Sequence, residues 1–189
     1  MQDSPDTAVY TIGYGQRRGA DVIDLLQRYG IQYLVDVRST PYSRFRPEFS
    51  RPALEKALPA LGVRYVFMGD LLGGRPSDPT CYRDGKVDYT ALSRTPAYQH
   101  GIQRLKKAWM QGLRVCLLCS EARPEDCHRT KLIGQSLAEQ GIPVRHIDAD
   151  GSAVDHDLVM RRLTGGQQSL FGVAFTSRKR YQVKESDPE

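Results

Sequence analysis

Apolar residues along this chain come in short unbroken runs, with amphipathic stretches between them. "AVYTIG" (8–13), "IQYLVDV" (31–37), "VRYVFM" (63–68), "LRVCLL" (113–118) and "PVRHID" (143–148) predict five strands. Their apolar positions are continuous, as in strands covered on both faces. "ADVIDLLQRYG" (20–30) has helical spacing and stops at Gly30. Ser50 and Pro52 open a second helix that Gly62 closes, and Thr95-Pro96 opens a third that runs to Gly112. Residues 128–140 and 155–163 predict two more, and 69–88 reads as a long Gly- and Pro-bearing loop.

Strands that alternate with helices predict a parallel sheet with right-handed crossovers. The expected fold is α/β, a three-layer sandwich around a mostly parallel sheet. Residues 1–163 form its single domain. Residues 164–189, rich in Gly, Gln and charge, read as a flexible tail. Sites in such sheets lie beyond the carboxyl ends of the strands. Those ends carry Gly13-Tyr14-Gly15, Asp36-Val37-Arg38, Gly69-Asp70, Cys119-Ser120-Glu121 and His146-Ile147-Asp148, so the topology is expected to gather them on one rim.

The 189 residues, 40% of them hydrophobic, suffice for one well-buried domain. A net charge of +5 and a pI near 9.1 fit a partner that carries phosphates. No run approaches a membrane span and no apolar signal core opens the chain, so the expectation is a cytoplasmic protein without a membrane partner. Four cysteines are too few for a disulfide framework and suit a reducing compartment.

Three of those cysteines fall in "VCLLCSEARPEDCHRTKLIG" (115–134). Connecting loops ordinarily carry Gly, Asn, Asp and Ser. This one holds Cys119, Glu121, Arg123, Cys127, His128 and Arg129, and Cys119, Glu121, Cys127, His128 and Arg129, with Asp36 from the second strand's end, are the candidate catalytic residues. A helix start and nearby cations would favour a Cys119 thiolate, with Glu121 or His128 as its acid/base partner. The bland alternative is a small buried cysteine in a loop that His128 and Arg129 brace. Cys119 and Cys127 also read as a redox pair. Cys116, Cys119, Cys127 and His128 supply four soft donors for zinc, yet Cys116 and Cys119 lie an odd number apart along one strand and should face opposite sides. No cofactor is expected.

"RSTPYSRFRPEFSR" (38–51) holds four Arg, three aromatics and one Glu. Arg contacts phosphate and aromatics stack on unpaired bases, so Arg38, Ser43, Arg44 and Arg46 are candidate phosphate ligands, with Asp36 beside them. Tyr14 in "GYG" and Arg75 in "LLGGRP" join them as rim residues. The bland alternative is a solvated loop packed on the domain by its aromatics.

The order TIGYG, DVRSTPYSR, LLGGRP and CSEARPEDCHR resembles the DUF488 family over about residues 8–148. The resemblance implies an α/β fold and a shared site, without a settled reaction. Members often carry His then Ser after the first Gly; Tyr14 and Gly15 stand there here. A more distant likeness is to the rhodanese fold, with Asp36-Val37-Arg38 and Cys119 as counterparts. The architecture expected is therefore rhodanese- or Rossmann-like. In the tail, Gln167, Gln168, Ser169, Leu170 and Phe171 resemble the bacterial sliding-clamp-binding peptide, with Gln168 in place of the common Leu. Gln167, Ser169, Leu170 and Phe171 would be its partner-binding residues. Together these features suggest a bacterial DNA repair or processing protein recruited by the clamp, with DNA and the clamp as partners. A small-molecule thiol enzyme of sulfurtransferase or phosphatase type and a non-catalytic DNA-binding adaptor are the alternatives.

Overall fold

The structure, a computed structural model, describes residues 7–166 and 174–182. The elements are β1 (Val9–Gly13), α1 (Gly19–Arg28), β2 (Tyr33–Asp36), α2 (Arg51–Ala57), β3 (Arg64–Phe67), α3 (Gly69–Leu72), β4 (Tyr82–Arg83), β5 (Lys86–Val87), α4 (Tyr89–Ser93), α5 (Pro96–Met110) and β6 (Val115–Cys119). A π-helical stretch, Arg129–Gly134, runs into α6 (Gln135–Ala138). β7 (Val144–Ile147), β8 (Ala153–Asp155) and α7 (His156–Thr164) complete the order.

Six strands form one sheet in the order β3-β2-β6-β1-β7-β8. All neighbours pair in parallel except β7 and β8. The continuous apolar runs follow from burial on both faces. In β6, Val115 and Leu117 join the core under α5, while Cys116 and Leu118 join the core under α1 and α2. Leu34 and Val35 in β2 divide in the same way. Each fully buried Leu or Val contributes about 1.5–3 kcal/mol. The result is a three-layer α/β sandwich. Among the described residues, no helix is long and apolar enough to cross a membrane.

Several elements depart from the sequence pattern. The helix expected from Ser50 to Gly62 ends at Ala57, because Pro59 has no N–H to continue the ladder; a 3-10 turn, Pro59–Leu61, follows. The long loop 69–88 contains α3 and the two-stranded β4–β5 hairpin. Asp88 caps the short helix α4 by accepting from Thr90 N and Ala91 N at 2.9 and 3.1 Å.

The expected tail is not wholly separate from the domain. Residues 174–182 run along the hairpin. Tyr89 N donates to the Phe175 carbonyl at 3.1 Å, Ser177 N to the Val87 carbonyl at 3.0 Å, and Tyr181 N to the Gly85 carbonyl at 2.6 Å. Ser177 is buried, and its Oγ accepts from Val87 N at 2.9 Å. The clamp-like residues Gln167, Ser169, Leu170 and Phe171 lie outside the described residues.

Candidate active site

The carboxyl ends of β2, β6 and β1 are adjacent in the sheet, and the loops after them meet. Tyr14 N donates to the Cys119 carbonyl (3.1 Å), Gly15 N to that of Ser120 (3.0 Å) and Val37 N to that of Leu118 (3.2 Å). These bonds hold the thiol loop at the sheet's rim. A side chain at Gly13 would run into the Glu121 carbonyl and the Arg129 guanidinium. The glycine after β1 therefore serves the close approach of this loop.

The rim encloses a cavity of about 270 Å³. Cys119, at the end of β6, lies on its wall with Cys127 and His128. All three are buried. His128 Nε2–H donates to the Val37 carbonyl at 3.0 Å, which turns Nδ1 toward both thiols. Nδ1 lies 3.8 Å from Cys119 Sγ and 3.7 Å from Cys127 Sγ. The Cys119 thiol titrates well below its ordinary range. A hydrogen bond from Cys127 is the main cause; burial opposes it and the His128 charge adds to it. Cys127 moves the other way, raised by burial and by its bond to Cys119. His128 is raised: burial opposes the shift, and the Cys119 thiolate overcomes it. These shifts favour a thiolate on Cys119 and a charged imidazole on His128, with the proton kept on Cys127.

The cavity wall carries four further cations, Arg38, Arg75, Arg178 and Lys179, against the carboxylates of Glu121 and Asp126. Arg38 Nε donates to Asp36 Oδ1 at 2.8 Å, and its Nη2 to Asp36 Oδ2 at 2.5 Å and the Phe49 carbonyl at 2.7 Å. Its Nη1 is buried with no partner among the described residues. Arg38 also sits over the Tyr14 ring, at 5.4 Å from the centroid, and that ring stacks on Phe49 at 4.3 Å. Arg75 lies over the Tyr181 ring at 4.9 Å. Arg178 reaches Glu121 Oε2 at 2.8 Å, and Lys179 reaches Oε1 at 3.9 Å.

Of the residues expected at the site, Cys119, Glu121, Cys127, His128, Tyr14, Arg38 and Arg75 line this cavity. The others do not, and each has a different occupation. Asp36 is fully buried; Arg38 and the Tyr65 hydroxyl (2.7 Å) fill its carboxylate. Arg129 is fully buried and holds the thiol loop by donating to the Glu121 and Ala122 carbonyls at 2.7 and 3.2 Å. Ser43 braces its own loop, its Oγ accepting from Arg46 N at 3.2 Å. Arg46 ties that loop to the Gln16 carbonyl at 2.9 Å. Arg44 lies over the exposed Phe45 ring at 6.0 Å. Glu121 directs its carboxylate to Arg178 and Lys179, so of the two candidate partners it is His128 that meets Cys119.

His146 is not on the rim. It is buried, with Nδ1 2.7 Å from Thr11 Oγ1 and Nε2 3.0 Å from His156 Nδ1. The C-terminal cavity residues Ser177, Arg178, Lys179 and Tyr181 were missed as site residues. The basic run Arg178-Lys179-Arg180 was the signal available for them.

Cys119 Sγ, Cys127 Sγ and His128 Nδ1 lie within 4.8 Å of one another, a set of three soft donors that a metal ion could share. A closed zinc site takes four. Cys116 does not supply the fourth, because it is buried in the core on the opposite face of β6.

The segments DVRSTPYSR and CSEARPEDCHR fall inside one family match, to the domain of unknown function DUF488, over residues 18–135, while TIGYG precedes it. The chain belongs to the DUF488 family. No curated protein and no solved structure matches it. The matched span of this DUF488 chain covers Asp36, Arg38, Cys119, Cys127 and His128, and ends before the C-terminal cations.

Proposed function

We propose that this DUF488 protein is a cysteine-dependent enzyme whose Cys119 thiolate attacks a substrate that carries an anionic group. The supporting observation is the position of Cys119 Sγ, 3.8 Å from His128 Nδ1 on the wall of a cavity rich in arginine. Arg38 and Arg75 both line the cavity and bring two guanidiniums to a phosphate or sulfur oxyanion, and the Arg38 Nη1 has no partner among the described residues. In the reaction Cys119 Sγ bonds to the electrophilic centre. His128 Nδ1–H then gives its proton to the departing atom. Cys127, with its Sγ within 4.8 Å of Cys119 Sγ, helps to stabilise the thiolate before the attack.

Alkylation at neutral pH tests this reading, followed by assays on phosphate and sulfur-transfer substrates. Cys119 should react much faster than free cysteine, and Cys119→Ser should remove both reaction and turnover. A sluggish Cys119 would leave the non-catalytic adaptor.

A nucleic acid as the substrate has its own support. Phe45 is 88% exposed and Tyr42 68% exposed, both on the arginine-bearing loop, and Tyr42 also lines the cavity. Such rings stack on unpaired bases for about 1–3 kcal/mol each. Fluorescence anisotropy of single-stranded, duplex and mismatched DNA at two salt concentrations tests it. Salt-dependent binding that weakens in Arg38→Ala and Phe45→Ala is expected; no binding at low salt overturns it. Recruitment to DNA by a sliding clamp rests on the sequence Gln167–Phe171 alone. Clamp binding that survives Leu170→Ala with Phe171→Ala would refute that recruitment.

A further inference from the structure

Cys127 has no part in bond-making in the reading above, yet it is one of the nearest groups to the reactive thiol. Cys119 Sγ, Cys127 Sγ and His128 Nδ1 all lie within 4.8 Å of one another. Cys127 sits on extended backbone between the 3-10 turn Pro124–Asp126 and the π-helical stretch Arg129–Gly134. It is therefore outside a regular helix, where its side chain can turn toward Cys119. Cys81 and Cys116 lie elsewhere: both are buried in the cores and neither lines the cavity.

We propose that Cys119 and Cys127 form a peroxide-reactive pair, in which a hydroperoxide oxidises Cys119 and Cys127 resolves it as a reversible disulfide that switches the site off. The inference rests on Cys119 being the reactive thiolate.

The chemistry closes on the groups present. Cys119 Sγ attacks one oxygen of the hydroperoxide. An S–O bond forms and the O–O bond breaks. Sulfur is oxidised to a sulfenic acid and the hydroperoxide is reduced. The departing oxide takes the proton of His128 and leaves as water or alcohol. His128, now neutral, accepts the proton of Cys127. The Cys127 sulfur then attacks Cys119 Sγ, the S–S bond forms and the S–O bond breaks. The hydroxide leaves as water with the proton returned by His128. A thiol reductant restores both cysteines by exchange. Without Cys127 the sulfenic acid persists and a second peroxide carries it to the irreversible sulfinic acid.

The geometry has a cost that favours regulation over permanent bridging. A disulfide needs its sulfurs at about 2.05 Å. The two sulfurs lie within 4.8 Å of each other and must close the gap that remains. The amide of Arg129 also gives up its 3.5 Å contact with Cys127 Sγ. A bond formed at that expense is readily reduced.

The test treats the reduced full chain with a several-fold molar excess of hydrogen peroxide, then blocks free thiols. A glutamate-specific protease cuts at Glu121, between the two cysteines. Two peptides joined by a Cys119–Cys127 disulfide, released by dithiothreitol, are expected. Cys127→Ser should instead accumulate Cys119 sulfinic acid, and dithiothreitol should not recover its alkylation. Cys127→Ala serves as the second variant, and protection of Cys116 from alkylation confirms that each is folded. Wild-type Cys119 that passes to sulfinic acid without a disulfide, or that pairs with another cysteine, overturns the switch while Cys119 reactivity stands. A Cys119 inert to both peroxide and alkylating agents overturns the thiol reading itself.

Discussion

Gly74 lies against the face of His128: a Cβ at Gly74 would stand 2.8 Å from the imidazole Cγ and 3.0 Å from Nδ1. The ring cannot simply slide away, because its Nε2 is tied to the Val37 carbonyl. Gly74→Ala should therefore push Nδ1 off the two thiols. Losing one pKa unit of thiolate stabilisation changes the thiolate fraction about tenfold below its pKa. Alkylation of Cys119 should slow by up to that factor at pH values low enough for the wild-type rate itself to be falling. Circular dichroism should show the fold unchanged. An unaltered alkylation rate would mean that the ring position does not set the thiol's reactivity.

The pH profile of alkylation separates the two candidate acid/base groups. Cys119 is lowered and His128 raised, so the pair stays ionised across neutral pH. The wild-type rate should hold nearly level as pH falls from about 8 to about 6, where free cysteine loses most of its thiolate. His128→Asn should restore a falling profile. Glu121→Gln should not, because Glu121 pairs with Arg178 and Lys179. Stopped-flow alkylation of the three proteins decides it, and a profile that depends on Glu121 would reverse the assignment.

Asp36 acts through Arg38. It is fully buried and accepts from Arg38 Nε, Arg38 Nη2, Arg38 N and Tyr65. Removing one partner of a buried ion pair strands the other charge, at a cost of about 3–5 kcal/mol. Asp36→Ala should lower the denaturant midpoint by an amount of that order. Arg38→Lys should lose less stability and more anion affinity, since an ammonium cannot reproduce the bidentate fork. Equal losses in both variants would remove the distinction between support and substrate contact.

The sheet was legible because each central strand alternates between two cores, which leaves an unbroken apolar run such as Val115 to Leu118. The thiol loop was legible because Cys119, Cys127 and His128 are unusual loop residues. Burial was not legible. Arg129 and Asp36 carry charge in sequence, which suggests a ligand, yet both are taken into the interior by local partners. His146 sits at a strand end, but its partners Thr11, Thr130 and His156 come from three different elements, which no local spacing joins. Residues 174–182 dock through backbone bonds to the β4–β5 hairpin, and hydrophobic periodicity carries no trace of those.

That buried histidine pair gives the fold its own pH dependence. His146 is held well below its ordinary value, first by burial and then by the nearby His156 and Arg129 charges. His156 is lowered by burial, with Asp157 and Glu139 opposing the shift. A histidine depressed in the folded state takes up its proton more readily when unfolded. Its contribution is complete above the unfolded pKa of about 6.5 and is lost as pH falls toward the folded value. His128 has the opposite sign: raised when folded, its contribution is complete below about 6.5 and does not vary in that window. Each unmatched proton changes stability by about 1.4 kcal/mol per pH unit. The two histidines should thus take about 1–2 kcal/mol from the fold between about pH 6.5 and about pH 5.5; the depressed Cys119 thiol adds a fall of the same sign, so the histidines' share is the difference between wild type and His146→Gln. Urea melts at those two values measure it. His146→Gln should be less stable at pH 7, having broken the bond to His156, and should show a flatter slope. A wild-type slope no steeper than that of His146→Gln would mean that the pair is protonated without penalty in the folded protein.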